Sequence, residues 1–575
     1  MKRFPLWHLA LLAAICLIAY ANTLSGAFLW DDDYQIIRNP NVHSLEKIPE
    51  AFTQPVWGFA APGEVNRSNF YRPTQTILYS LAYWWAGLDP VPFHVIQITL
   101  HVLATLLVYL VCIELGLTGA LALLATAIFA AHPIHSEAIA WLAATPDLAC
   151  GVFYFGALFA FLRSKSGTDA KWLIVSAILC FLALLSKEMA ITFPLLAFAL
   201  TFRPGEQPLP LAQRLRIVIP FAVVTAIYTA LRFNALGLLV TVHTPTTLSI
   251  FDWVTLGIQV FGRYIWYALI PFPLLAYHQL PVHFSDRAVP TLVALASILG
   301  LAALLWRYRQ RIPQAAFWSA AFPLMLIPVF YLKGISTAVM ADRYLYIPSL
   351  AAVIVVVTIL ATLLPKQVLW VGWSLVGLFI LGSIARNRDW RDAEHIWAAT
   401  LDRDPEIGTL QTSMAEILMK RGDDVNAARR LNQALDSFNS GRYSILPDEY
   451  YRVHVALGAV LARSKSFAQA REHLEMARTL APKGDWPYLY LGGISMEADN
   501  DVPKAIEQFQ TAIKFGPLND VAHDYLGIAY FNQGRFQEAK AAFEEALKIN
   551  PTSQDARTHL DMAVRSLQQP TPSTP

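Results

Sequence analysis

The chain has 575 residues, of which 55% are apolar and only 15% charged, with a mean hydropathy of +0.41. That charge fraction lies far below the roughly 25% of an average soluble chain, which excludes a disordered or wholly soluble protein. A net charge of +2 creates no field that would draw nucleic acid, and Cys16, Cys112, Cys150 and Cys180 stand singly in apolar runs without metal or disulfide spacing.

The charges divide the chain. Met1–Ala385 carries 38 of them in 385 residues, whereas Arg386–Pro575 carries 48 in 190. Lipid is the implied solvent for the first part and water for the second. A helix needs about 20 mostly apolar residues to cross a hydrocarbon core of about 30 Å. The first such run, Pro5–Leu24, follows Lys2 and Arg3 and exceeds the apolar region of a signal peptide; with Ala21-Asn22-Thr23 a poor cleavage site, it reads as an uncleaved anchor. Ten more follow at 93–114, 119–131, 147–163, 171–186, 189–202, 215–232, 289–306, 313–332, 344–364 and 367–385.

Residues 252–275 are apolar but interrupted by Arg263 and by Pro271-Phe272-Pro273. If they do not cross, one side of the membrane collects Lys2, Arg3, Arg163, Lys165, Lys171, Arg203, Arg214, Arg216, Arg307, Arg309, Arg311 and Lys366. Lys and Arg accumulate on the cytoplasmic side, so this pattern selects eleven spans, an interfacial or re-entrant 252–275, and a C-terminal part outside the cytoplasm.

That C-terminal part is repetitive. Ala539, Phe543, Ala546 and Pro551 recur 34 residues earlier as Ala505, Phe509, Ala512 and Pro517, and again as Ala470, Leu474, Ala477 and Pro482. Leu457-Gly458, Leu491-Gly492 and Leu526-Gly527 supply the matching first-helix signature. Ala427, Leu431 and Ala434, then Ala393, Trp397, Thr400 and Pro405, extend the array to about five units, with an insertion near Asn439–Pro447. The period is that of tetratricopeptide repeats, which stack into an α-solenoid with a concave groove for a polypeptide; a self-association spacer is the other use of such an array. The expected domains are therefore 1–385, with an outer loop 25–73, then 386–567, and a disordered Pro/Thr/Ser tail, 568–575.

Ionisable residues kept at a membrane boundary are the informative ones. The first outer loop opens with Trp30-Asp31-Asp32-Asp33-Tyr34, where adjacent carboxylates raise one another's pKa and can serve as a general base or hold a divalent cation; a solvated helix-end charge run is the alternative. The third span ends in His132-Pro133-Ile134-His135-Ser136-Glu137, followed by Asp147. Such a cluster can bind zinc, but it lacks the spacing of a zincin helix and reads more readily as a hydrogen-bonded His/Glu network. Lys187-Glu188, Asp342-Arg343-Tyr344 and Tyr71-Arg72-Pro73 fall on the same face in the eleven-span topology. They are expected to surround one outward-facing cavity.

Taken in order, Trp30-Asp31-Asp32, Tyr71-Arg72-Pro73, Phe93-His94 with His101, the HPIHSEA string from His132, Lys187-Glu188, the RYLYIPS string from Arg343 and the repeats resemble the transmembrane and tetratricopeptide-repeat-containing O-mannosyltransferases and their bacterial relatives. The resemblance implies an all-α, C-type glycosyltransferase membrane bundle followed by a tetratricopeptide-repeat solenoid. It implies a polyprenyl-phosphate sugar donor, carrying mannose or another hexose, used at the outer membrane face, with a protein Ser/Thr hydroxyl as the expected acceptor; the Lys2-Arg3 flank and the lack of an acidic or glycosylation-rich insertion suit a bacterial inner membrane. Family catalytic function carries to Asp31 and Asp32, and the residues expected around the cavity, Arg72, His132, His135, Glu137, Asp147, Lys187, Glu188, Arg343 and Tyr344, are the candidates for binding substrate. This chain departs from the family at Thr145, where an arginine is usual, and at Gln97, where asparagine is common.

Phosphate is already a good leaving group when cations such as Arg343 or Arg72 stabilise it, so a single carboxylate suffices to deprotonate the acceptor, and direct displacement inverts the anomeric centre. Mg²⁺ or Mn²⁺ between Asp32, Glu137 and the phosphate is an optional addition. A transporter with an external repeat domain and a non-enzymatic envelope scaffold are the competing classes; the first should show inverted repeats or paired broken spans, and none is convincing.

Overall fold

A computed structural model of the chain describes residues 5–59, 70–164, 167, 169–205, 209–237, 249–281, 283–330, 340–443, 447–550 and 553–568. Lys2, Arg3, Lys165, the last two positions of the 313–332 span, part of the insertion (444–446), Pro551 and the tail from 569 lie outside them. The described residues are helical with no sheet; a single antiparallel bridge joins His278 to Met340. The chain forms two compact units, Met1–Arg403 and Asp404–Pro575.

The first unit contains fifteen α-helices among the described residues: α1 (Leu6–Tyr20), α2 (Pro73–Ala86), α3 (Pro90–Glu114), α4 (Gly119–Ala131), α5 (Ser136–Ala140), α6 (Thr145–Arg163), α7 (Ala170–Ser186), α8 (Phe193–Leu200), α9 (Leu211–Leu236), α10 (Ile250–Leu269), α11 (Phe284–Tyr308), α12 (Pro313–Leu326), α13 (Ser349–Leu363), α14 (Val368–Asp389) and α15 (Ala393–Leu401). Local sequence starts many of them. Proline at the first turn suits α2, α3, α6, α8 and α12, because the missing N–H is one a helix start leaves unpaired. Side chains of Asp89, Thr118, Asp169 and Ser249 cap α3, α4, α7 and α10.

Seven helical stretches are long and apolar enough to cross a membrane, and Gly119–Ala131 with Pro133–Ala140 forms an eighth bent by 45°. Three shorter apolar helices, Ala170–Ser186, Glu188–Leu200 and Ser349–Leu363, occupy the remaining predicted positions. Helix α10 is not among these stretches, in keeping with Asp252 and Arg263 on it. The chain is an integral membrane protein.

Its core is one continuous apolar cluster in which α3 lies against α4 and α6, α6 against α7, and α4 against α13 and α14. Small residues permit the closest approaches. Gly151 leaves the space that the Tyr346 ring fills, so any side chain there would collide with it. Polar ties cross the bundle: the Tyr20 hydroxyl donates to the His132 carbonyl (2.8 Å) and Asn387 donates to the Ala19 carbonyl (2.9 Å), linking α1, the α4–α5 bend and α14. Asp147 lies in the first turn of α6 and Arg163 in its last, so charge marks both ends of an apolar helix about 24 Å apart.

The second unit pairs α16 (Gly408–Lys420) with α17 (Asp424–Asn439), α18 (Pro447–Arg463) with α19 (Phe467–Leu480), α20 (Asp485–Glu497) with α21 (Val502–Phe515) and α22 (Asp520–Asn532) with α23 (Phe536–Ile549), and ends in α24 (Gln554–Gln568). In each second helix the small-large-small triplet is buried: Ala427/Leu431/Ala434, Ala470/Leu474/Ala477, Ala505/Phe509/Ala512 and Ala539/Phe543/Ala546. The Leu-Gly signature explains itself, because Gly458, Gly492 and Gly527 receive the side chains of Leu474, Phe509 and Phe543. These are tetratricopeptide-type helix pairs. The fifth predicted unit, Ala393–Thr400, lies on α15 directly after the last apolar helix and belongs to the first compact unit.

Candidate active site

The three consecutive carboxylates do not share one environment. After Leu29, Trp30 adopts φ +52°, a left-handed conformation unusual for a bulky residue, and the Asp32 N–H donates back to the Leu29 carbonyl (2.8 Å) before a π-helical turn over Asp33–Ile37. This geometry splays the side chains. Asp33 turns outward and pairs with Arg38 at 2.7 Å, both substantially exposed. Asp32 turns inward, fully buried, and its Oδ2 accepts from the Leu29 N–H (2.7 Å). Burial pushes its pKa well above the carboxylate range, against the Leu29 amide, and the neighbouring Asp31 adds to the rise.

Asp31 is half-buried, and its carboxylate has no hydrogen-bond partner among the described residues. Burial raises its pKa while the guanidinium groups of Arg343 and then Arg72 pull it down, leaving it above the ordinary value. A carboxylate that is accessible, basic and flanked by cations is thus the product of this turn.

The cations come from three other segments, each held by an acid. Arg72, immediately before α2, donates from Nε (3.2 Å) and from a terminal nitrogen (2.6 Å) to the two carboxylate oxygens of Glu188. Lys187, at the end of α7, reaches both oxygens of Asp147 at 2.6 Å, with both side chains buried. Arg343 pairs with Glu137 through its guanidinium, and its backbone N–H donates to the second Glu137 oxygen (3.0 Å). The Tyr344 ring joins two of the pairs, with Lys187 Nζ and the Arg343 guanidinium each 5.0 Å from its centre. Asp147, Lys187, Arg343 and Tyr344 line one small cleft. Arg343 is the more open of the two arginines, its side chain 19% exposed against 10% for Arg72.

His132 and His135 are placed differently. Both are buried: His132 Nε2 lies 3.3 Å from the Ala268 carbonyl and its Nδ1 accepts from the Ile134 N–H, while His135 Nε2 bonds Ser349 (2.9 Å) amid Phe129 and Tyr346. They tie the α4–α5 bend to α10 and α13. Among the described residues no three His, Cys, Asp or Glu side chains are grouped as metal ligands; Glu137 is engaged by Arg343 and Asp32 by a backbone amide.

Several residues that shape this region carry no motif. Gln75 donates to Gln35 and to Tyr79 (3.1 Å), the Tyr79 hydroxyl donates to the Leu142 carbonyl (2.8 Å), and Gln97 donates to the Trp141 carbonyl (2.8 Å), fastening the acidic turn, α2 and α3 to the 141–144 turn. Thr145 donates to the Leu142 carbonyl (2.7 Å). Buried His278 bonds Asp342 at 2.8 Å, beside Arg343. The signal for these is burial of a polar side chain, which a single sequence does not display.

The fold and site define an integral membrane protein with a paired-charge cluster in its helical bundle and a tetratricopeptide-repeat unit at its C-terminus. Tetratricopeptide-repeat family models match residues 385–442 and 521–553. The chain is similar to protein O-mannosyl-transferase TMTC3 of Homo sapiens, 22% identical over 99% of this chain and 67% of that protein. Protein O-mannosyl-transferases Tmtc1 and Tmtc2 of Drosophila melanogaster are each 33% identical, over 32% and 36% of this chain and 21% and 22% of their own lengths. The chain thus spans about two thirds of the human relative and matches about a fifth of each fly relative. These matches agree with the resemblance read from the motifs: the chain is similar, at low to moderate identity, to proteins named protein O-mannosyl-transferases.

Proposed function

We propose that this protein transfers a sugar, mannose or another hexose, from a polyprenyl-phosphate donor to a Ser or Thr hydroxyl of a protein acceptor at the outer face of the membrane, with inversion. The observation that carries this reading is the cluster of paired cations, Arg72 with Glu188, Lys187 with Asp147 and Arg343 with Glu137, together with Asp31, a half-buried carboxylate without a hydrogen-bond partner among the described residues. The relatives' names supply the reaction class, and the paired cations supply a place for a phosphate.

In this mechanism Asp31 accepts the acceptor hydroxyl proton as the oxygen attacks the anomeric carbon. The bond from that carbon to the phosphate oxygen breaks on the opposite side, and Arg343, the more open arginine, stabilises the departing polyprenyl phosphate. Asp32 holds the turn that aims Asp31. The lipid part of the donor is accommodated by apolar surface: α10, α11, α12 and α13 enclose an apolar cavity of about 380 Å³, and α13 begins six residues beyond Arg343.

The topology proposed with this function has eleven crossings, the charged site and the repeats on the outer side, and the basic loops inside. Incubating the purified chain with polyprenyl-phosphate mannose and a Ser/Thr peptide should give an α-mannosyl peptide from a β-linked donor. A retained anomeric configuration, or no hexosylated product with any polyprenyl-phosphate hexose, contradicts the proposal. A reporter fused after Asp404 should be active outside the cytoplasm and silent within it.

A further inference from the structure

Trp30 precedes the proposed base and has no part in the proton transfer, yet it is held in a strained backbone conformation with 39% of its surface exposed. Left-handed backbone at a large side chain persists where the surroundings enforce it. Three rings do so here. The Trp30 indole lies 4.4 Å from Trp397, edge to face, 5.7 Å from Trp141 and 6.2 Å from Tyr277. Those three are 5%, 6% and 7% exposed, so they form a wall and leave Trp30 as its open surface. Trp141 donates from its indole nitrogen to the Leu29 carbonyl (3.4 Å), and the Arg343 guanidinium sits over the Trp141 ring at 4.9 Å.

Asp31 thus directly follows an exposed, uncharged aromatic surface in the chain, suited to an apolar or backbone face of a polypeptide, while the Arg343 guanidinium packed on Trp141 supplies a cation beside that surface. Resting on the proposed transferase function, we propose that Trp30, braced by Trp397, Trp141 and Tyr277, is the positioning surface on which an extended acceptor peptide lies so that its hydroxyl meets Asp31. A half-exposed indole offers a large, rigid contact at low entropic cost, the property that enriches Trp at recognition surfaces. Trp397 belongs to α15, the helix that the repeat-family match also covers, so the acceptor surface draws on both the first loop and this helix.

The test uses the full chain in detergent or nanodiscs, with a fluorescent Ser/Thr peptide and polyprenyl-phosphate mannose as separate probes. Trp30→Ala should weaken peptide binding in the absence of donor about tenfold and raise the peptide KM by the same factor. Donor KM should stay within about twofold, and Trp30→Phe, which faces the same backbone demand, should restore most of the binding. Trp397→Ala should give a smaller loss in the same direction. Unchanged peptide binding in Trp30→Ala, a rise in donor KM instead, a fall in kcat alone that Phe does not rescue, or no peptide binding by the wild-type chain overturns the inference. Wild-type peptide binding lost in Trp30→Ala without any sugar transfer supports the peptide surface while contradicting the transferase reading, so the two failures are distinct.

Discussion

At the residue scale, three adjacent aspartates acquire three roles from one backbone turn. Asp33 forms a surface pair worth little, Asp32 is sealed against the Leu29 amide, and Asp31 remains available beside Arg343 and Arg72. Because burial raises the pKa of Asp31, the base form appears only as pH rises through a value above the roughly 3.9 of a free aspartate. The acid limb of kcat/KM for transfer should therefore lie above pH ~4, and a limb at or below it would show an unperturbed base. The buried pair Lys187–Asp147 makes a different prediction. Lys187→Met strands a carboxylate that is 6% exposed, which should cost about 3–5 kcal/mol, visible as a lowered unfolding temperature in detergent; Lys187→Met with Asp147→Leu should recover much of it. Equal losses in the single and double variants would rule that explanation out.

At the scale of elements, apolar run length and the 34-residue period carried most of the architecture. Each predicted span coincides with an apolar helix, and each repeat triplet from Ala427 onward is buried where the pattern placed it. The repeats were legible because every unit must solve the same packing problem, a glycine facing a large side chain. Gly527→Val should drive into Phe543 and lower the stability of the repeat unit by about 1–3 kcal/mol, read as an earlier thermal transition of the full chain; an unmoved transition would mean that the site yields freely. The first repeat was less transparent. The segment Ala393–Thr400 has the triplet but sits on α15, directly after an apolar helix, and belongs to the first compact unit.

At the scale of the molecule, the candidate site was legible as residue types and only partly as geometry. Charged motifs kept at one boundary of an apolar bundle marked Asp31, Arg72, Glu137, Asp147, Lys187, Glu188 and Arg343, and the structure joins six of these in three ion pairs. Sequence spacing cannot say which acid takes which cation, and it gave no reason to separate His132 and His135, which lie in the bundle core, from Glu137 two residues on. Gln35, Gln75 and His278 were invisible because their roles arise from burial across distant segments. The division into two units carries its own prediction. Truncation after Arg403 leaves every described site residue in place, so transfer to a short peptide should survive while transfer to a folded protein acceptor falls at least about tenfold, the scale of a recruiting contact. Equal loss on both acceptors would assign the repeats to stability instead of recruitment.

Asp31 is the proposed base of a sugar transfer from a polyprenyl-phosphate donor. The most direct measurement of that role is the single-turnover transfer rate from polyprenyl-phosphate mannose to a Ser/Thr peptide by the purified wild-type chain, Asp31→Asn and Asp33→Asn, with donor binding followed in parallel. Asp31→Asn should lose about 10²–10⁴-fold in rate while still binding donor, and Asp33→Asn should stay within about twofold of wild type. Near wild-type transfer by Asp31→Asn would contradict the account.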